Sequence, residues 1–160
     1  MKNSYSVKGC EKMDPYTGGL FKENPFSTKR NIECSVVAVL QARLDNRSLH
    51  LIPQISRVLK KNDVHELIFT DQEKTGPGTI VNRIAYIAFV EIKVGGVMVT
   101  GDEVYWKNNL LGTVAGFDDT HIPNHQNIIL YSPKISTGKE LDMRIEDQII
   151  VNSGQEDTQR

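Results

Sequence analysis

The 160-residue chain carries 19 Lys and Arg against 20 Asp and Glu, a formal charge of -1 at neutral pH. That balance supplies no global drive toward nucleic acid or an anionic membrane, and the length fits one domain of about 100 to 150 residues with tails. No apolar run approaches the roughly 20 residues that span a bilayer and the N-terminus lacks an apolar signal core, so a cytoplasmic protein without membrane or nucleic-acid partners is expected.

Residues 1–31 mix Lys, Glu, Asn, Gly and Pro with Tyr5, Tyr16, Phe21 and Phe26, without a sustained period. They read as an extended arm whose aromatic points dock on the domain or on a neighbouring subunit, which makes a homo-oligomer one of the readings. Cys10 falls in this arm and Cys34 in an apolar run, with no nearby Cys or His to complete a zinc set. Both read as reduced thiols, Cys10 exposed and Cys34 buried.

The domain is expected over residues 32–151. Glu33 to Leu44 is rich in Val, Ala and Leu and predicts a buried strand, and Asp45-Asn46 a turn. From Pro53 to Lys61, Ile55, Val58 and Leu59 fall at spacings of three and four before Lys60-Lys61-Asn62, which predicts one short amphipathic helix. His50 and His65 flank it and read as surface or half-buried histidines. Leu67-Ile-Phe69 predicts a strand, and Gly76-Pro77-Gly78 reverses the chain.

Thr79 to Val94 is the most β-prone run. It exceeds the usual strand length, so it should bend, bulge or divide, and its two largely apolar faces make it central. Arg83 and Glu91 are costly there unless paired or exposed. Further strands are expected at 97–99, 103–106, 110–114 and 127–131, with a tight hairpin at Asn108-Asn109. Leu141, Met143 and Ile145 alternate with polar residues, Ile149 to Val151 closes the domain, and residues 152–160 read as a disordered tail. Val99 to Val104 and Arg144 to Ile149 look alike, each with an apolar end, an Asp-containing turn and a strand. The whole predicts a mainly β fold: a small antiparallel β-barrel of about seven or eight strands with one short helix.

Two loop segments gather the chemistry. Asp118, Asp119, His121 and His125 fall within eight residues; imidazole and carboxylate are ligands for a divalent metal, although Pro123 makes a loop more natural than a helix. The same residues serve equally as Asx-turn and backbone partners, or as a site for a small polar or anionic ligand. Around Gly76-Pro-Gly78, Glu73, Lys74, Asn82 and Arg83 offer either an anion-binding loop or a solvated turn whose charges neutralise Asp71 and its neighbours. No Walker loop or Ser-His-Asp signature accompanies them. Tyr86, Tyr105 and Trp106 read as core or hairpin packing.

The segments Glu73-Lys-Thr-Gly-Pro-Gly-Thr79 and Gly116-Phe-Asp-Asp-Thr-His-Ile-Pro-Asn-His125 resemble a family of uncharacterised bacterial proteins. More distantly, Gly95 to Leu130 is similar in layout to the glucitol/sorbitol-specific enzyme IIA proteins of the sugar phosphotransferase system, which implies a small β-barrel. The phospho-accepting histidine of that family lies in the central strand; Ile87 to Lys93 contains none, so phosphotransfer is not implied. The leading expectation is a module binding a small polar or anionic ligand through Glu73, Lys74, Asn82, Arg83, Asp118, His121 and His125. The alternative is a metal-dependent enzyme using His121, His125, Asp118 and Asp119.

Overall fold

A computed structural model describes residues 24–153; the arm up to residue 23, with Cys10, and the tail from residue 154 lie outside the described residues. Twelve strands follow in order: β1 Ile32–Val39, β2 Arg43–Leu44, β3 Leu49–His50, β4 Ser56–Leu59, β5 Val64–Thr70 and β6 Ile80–Val81, then β7 Ile84–Val94, β8 Gly96–Val99, β9 Glu103–Trp106, β10 Asn109–Asp118, β11 Asn127–Tyr131 and β12 Gln148–Asn152. The sheet order β1-β12-β9-β10-β11-β5-β7 is closed by a β1–β7 pairing, so seven strands form a hydrogen-bonded ring, with β2 added at the edge of β7. The small pairs β3–β6 and β4–β8 lie outside it.

The fold is mainly β, as expected, and several details differ. Among the described residues there is no helix. The segment expected to be helical forms β4, whose Ser56 to Leu59 pairs antiparallel with Val99 to Gly96. There Leu59 is buried and Val58 is 79% exposed, so the helical spacing of Ile55, Val58 and Leu59 does not mark a common buried face. Nor is the ring wholly antiparallel: β11 runs parallel to β5, with Asn127 opposite Glu66 and Tyr131 opposite Thr70.

That central pairing explains two apolar runs. On β5, Leu67 and Phe69 face the interior cluster with Ile128 and Leu130 of β11, while Ile68 and Ile129 face a second cluster with Leu49, Leu51 and Val81 under β3 and β6. Strands buried on both faces need no polar alternation. The long run from Thr79 divides as expected: Asn82 and Arg83 interrupt it, and Arg83 is exposed and paired to Asp71 at 2.6 Å. Leu67 faces Ala88 while Ile68 faces Tyr86, leaving Ile87 as an extra residue and placing a bulge in β7. Half-buried Glu91 pairs with Lys93.

The two look-alike segments form the same corner. Asp102 Oδ2 accepts the Val99 N–H at 2.9 Å, and Asp147 Oδ2 accepts the Arg144 N–H at 2.8 Å, each three residues upstream. The corners lead into β9 and β12, which pair with one another. The preceding Leu141 to Ile145 stretch is a series of turns rather than a strand, with Asp142 and Glu146 at positive φ and Ile145 exposed. The β9–β10 hairpin turns on Lys107 and Asn108, one residue earlier than expected, both at positive φ. Trp106 packs in the core, and its indole N–H donates to Asp147 at 3.0 Å. Cys34 is buried, and burial followed by the charge of Glu33 pushes its thiol up to about 12, where it is inert as a nucleophile.

Candidate functional site

The 118–126 loop is built by its own carboxylates. Asp118, at the end of β10, is buried; its Oδ1 accepts the Thr120 N–H and the Asn127 side-chain amide, both at 3.0 Å. Asp119 Oδ1 accepts the Gln126 amide and Oδ2 the Arg57 guanidinium, both at 2.6 Å. These are Asx-turn and strapping roles. They engage Asp118 Oδ1 and both Asp119 oxygens, and no group of three His, Cys, Asp or Glu among the described residues is arranged to hold a metal. The metal set His121, His125, Asp118 and Asp119 is therefore not brought together.

The histidines are brought together. The His125 N–H donates to the His121 carbonyl at 3.3 Å, a single turn that stacks the two rings with centroids 4.8 Å apart, although the segment is a loop with a cis Ile122–Pro123 bond. His121 is exposed. His125 is buried, its ring edge-on to Phe89 at 5.0 Å. Its Nδ1 faces the Asn124 amide nitrogen at 2.9 Å, and its buried Nε2 meets no acceptor in good hydrogen-bond geometry, the nearest acid being Glu66 Oε2 at 3.7 Å and the Asn127 side chain lying beside the ring.

Two further residues join them at the start of β5: His65, expected as a surface or half-buried histidine rather than a site residue, and Glu66, which the sequence did not single out. His65 Nδ1 accepts the Gln126 N–H at 3.0 Å, which places the proton of the neutral ring on Nε2. A cleft of about 360 Å³ opens here, with His65, His125, Asp63 and Gln126 as polar lining and Val58, Val64, Ile122 and Pro123 as apolar rim. The other candidate segment lies at the opposite end of β5. At about 3.3 Å per residue, the six steps from His65 to Asp71 separate the two by roughly 20 Å. Asn82 Oδ1 accepts the Ser48 N–H at 3.2 Å and Arg83 holds Asp71, so these two have structural tasks. Glu73 and Lys74 line a separate cavity of about 280 Å³ with Thr113 and Tyr131. The seven expected ligand residues do not form one site.

A family model matches residues 26–152, which include both motif segments. The chain belongs to DUF6917, a family of unknown function. No curated protein and no solved structure matches it. The layout similarity to the sorbitol-specific enzyme IIA proteins gains no support from these comparisons. No helix of this DUF6917 chain, among the described residues, is long and apolar enough to cross a membrane.

Electrostatics at the cleft of the DUF6917 chain favour neutral rings. Burial lowers the pKa of His65, with Asp63 opposing and His125 adding to the effect. Burial also lowers that of His125, helped by His121 and opposed by the Asn127 side chain. Burial raises that of Glu66, against Arg47. A histidine whose folded pKa lies below its unfolded value of about 6.5 contributes fully above that pH, and the contribution is lost as pH falls toward the folded value. Glu66 has the opposite sign, its burial cost being relieved only as pH falls through its raised value toward about 4.5. Thermal melting should therefore drop between about pH 7.5 and 5.5. His65→Asn, which keeps an acceptor for the Gln126 N–H, should flatten that drop. An unchanged pH slope in the variant would contradict the assignment.

Proposed function

We propose that the cleft between the start of β5 and the 118–126 loop binds a small ligand that combines a carboxylate-like acceptor with an apolar body, the closed strand ring serving as a small barrel scaffold. The observation that carries this reading is His125, which lines the cleft and whose Nε2, closed to solvent, meets no acceptor in good hydrogen-bond geometry. A buried polar atom without a partner costs roughly 1–3 kcal/mol, and a ligand acceptor removes that cost. With the Asn124 amide donating to Nδ1, the neutral His125 ring carries its proton on Nε2, as His65 does, so each of the two rings lining the cleft carries one N–H donor, that of His125 meeting a ligand once the ring turns outward. Val58, Val64 and Ile122 supply the apolar rim. The volume of about 360 Å³ sits at the small end of ligand clefts, which run about 300–1,000 Å³.

Benzoate is the matching probe, an ionised acceptor on an apolar ring. Calorimetric titration should show saturable binding that tightens between about pH 7.5 and 5.5, because each histidine gains a positive charge toward its lowered pKa. His125→Leu keeps a side chain against Phe89 and removes the donor. It should weaken binding by about tenfold or more, since a hydrogen bond to a charged group contributes about 1.5–3 kcal/mol. Equal affinity in wild type and variant, with both folded, would remove His125 from the reading.

A further inference from the structure

The wall formed by β4 has a second groove on its other side, and it differs in charge from the histidine cleft. About 490 Å³ in volume, it is lined by Arg30, Lys60, Lys61 and Lys93 together with the Gly95-Gly96 corner, and shares Val58 and Leu59 with the first cleft. No Asp or Glu lines it. In a chain of net charge -1, four cations around one concavity are a local concentration rather than a reflection of overall composition.

The glycine pair assembles this groove. A Cβ on Gly95 would lie 2.6 Å from the Leu59 carbonyl oxygen and 3.1 Å from the Lys61 nitrogen, so only glycine lets the β4–β5 turn pack directly on the end of β7. A Cβ on Gly96 would meet Ile32 Cγ1 at 3.1 Å and lie 3.7 Å from the Arg30 carbonyl. Three segments distant in sequence, each bearing a cation, thereby converge. Arg30 Nε donates to the Gly95 carbonyl at 2.7 Å, which holds the guanidinium at the groove. Arg43, Arg57, Arg83 and Arg144 each pair with a carboxylate, whereas Arg30, Lys60 and Lys61 have no carboxylate partner among the described residues. Lys93 is held by Glu91 and also feels the charge of Glu146; Glu33, opposite Val94, and Asp63, after the β4–β5 turn, are further acids nearby.

We propose that this groove binds a small phosphorylated molecule, its phosphate oxygens meeting Arg30, Lys60 and Lys61. A planar guanidinium fork and several ammonium groups suit the many oxygens and multiple charges of phosphate better than a single carboxylate. The volume admits a small molecule. This site stands on its own observations and does not depend on the ligand of the histidine cleft.

The test is an NMR titration of the full chain with inorganic pyrophosphate, following the amides of Lys61, Gly95 and Gly96, at about 0.15 M salt, where diffuse surface attraction is screened within about 8 Å. Saturable shifts at these amides are expected. Lys60→Ala/Lys61→Ala should weaken binding by about tenfold, ~1.4 kcal/mol, while Lys134→Ala/Lys139→Ala, elsewhere on the surface, leaves it unchanged. Absence of saturation, or equal weakening by both double variants, would overturn the site. Citrate binding as tightly as pyrophosphate would overturn the phosphate assignment. A single-stranded oligonucleotide that binds more tightly than pyrophosphate through the same amides would replace the small molecule with a nucleic acid.

Discussion

Replacing Gly138 with alanine is expected to cost about 3 kcal/mol of folding stability, the upper end of the usual penalty for overpacking. The residue sits on β7 itself: its N–H donates to the Tyr86 carbonyl at 3.2 Å, and its neighbour Lys139 donates to Leu40 at 3.0 Å. A Cβ there would lie far inside van der Waals contact of the Ile87 carbonyl oxygen and 3.1 Å from Val39 Cγ1. That carbonyl already accepts the Leu40 N–H, so it cannot move away without loosening the strap between β1 and β2. At roughly 2–4 °C per kcal/mol for a chain of this size, melting should fall by about 6–12 °C. Gly76→Ala is the control, because a Cβ there meets nothing within 4 Å and the residue has no positive φ. It should melt within about 2 °C of wild type. Similar melting for the two variants would contradict the close approach at Gly138.

Asp118→Ala should cost a comparable amount, about 3 kcal/mol, by a different route. Its buried Oδ1 binds two donors, one on the loop and one on Asn127, and truncation leaves the Asn127 amide without that acceptor at a position where its Oδ1 is already unpartnered. Asp118→Asn retains an oxygen acceptor and should lose about 1 kcal/mol. Hydrogen exchange should accelerate first at Thr120 and at the loop amides that bond to His121. If Asp118→Ala melts with wild type, the carboxylate is not what holds the loop.

These two positions also show what the sequence makes legible. The β-rich class could be read from strand propensity, and a break somewhere in Thr79 to Val94 from a run too long to remain one strand, although not its place at Asn82-Arg83. The paired Asp corners could be read because their turn chemistry is local: each carboxylate binds an amide three residues away. The helix expected at 53–61 failed because spacings of three and four over so few residues fit a strand edge that pairs with a distant partner, β8. His65 and Glu66 carried no local signal, since what places them at the site is the parallel β5–β11 register, across some 60 residues of chain. The candidate loop itself was visible. Its neighbours were not, and its two aspartates bind the chain itself, Asp118 through the Thr120 N–H and the Asn127 amide, Asp119 through the Gln126 amide and the Arg57 guanidinium.

Whether His125 Nε2 binds a ligand is read most directly by long-range 1H–15N correlation of the histidine rings with and without benzoate. His65 and His125 are expected to begin as neutral rings protonated on Nε2 at pH 7, and benzoate to shift both Nε2 signals saturably while His50, exposed on β3, stays unmoved. Ring signals of His125 unaffected by saturating benzoate, or shifting in step with His50, would contradict it.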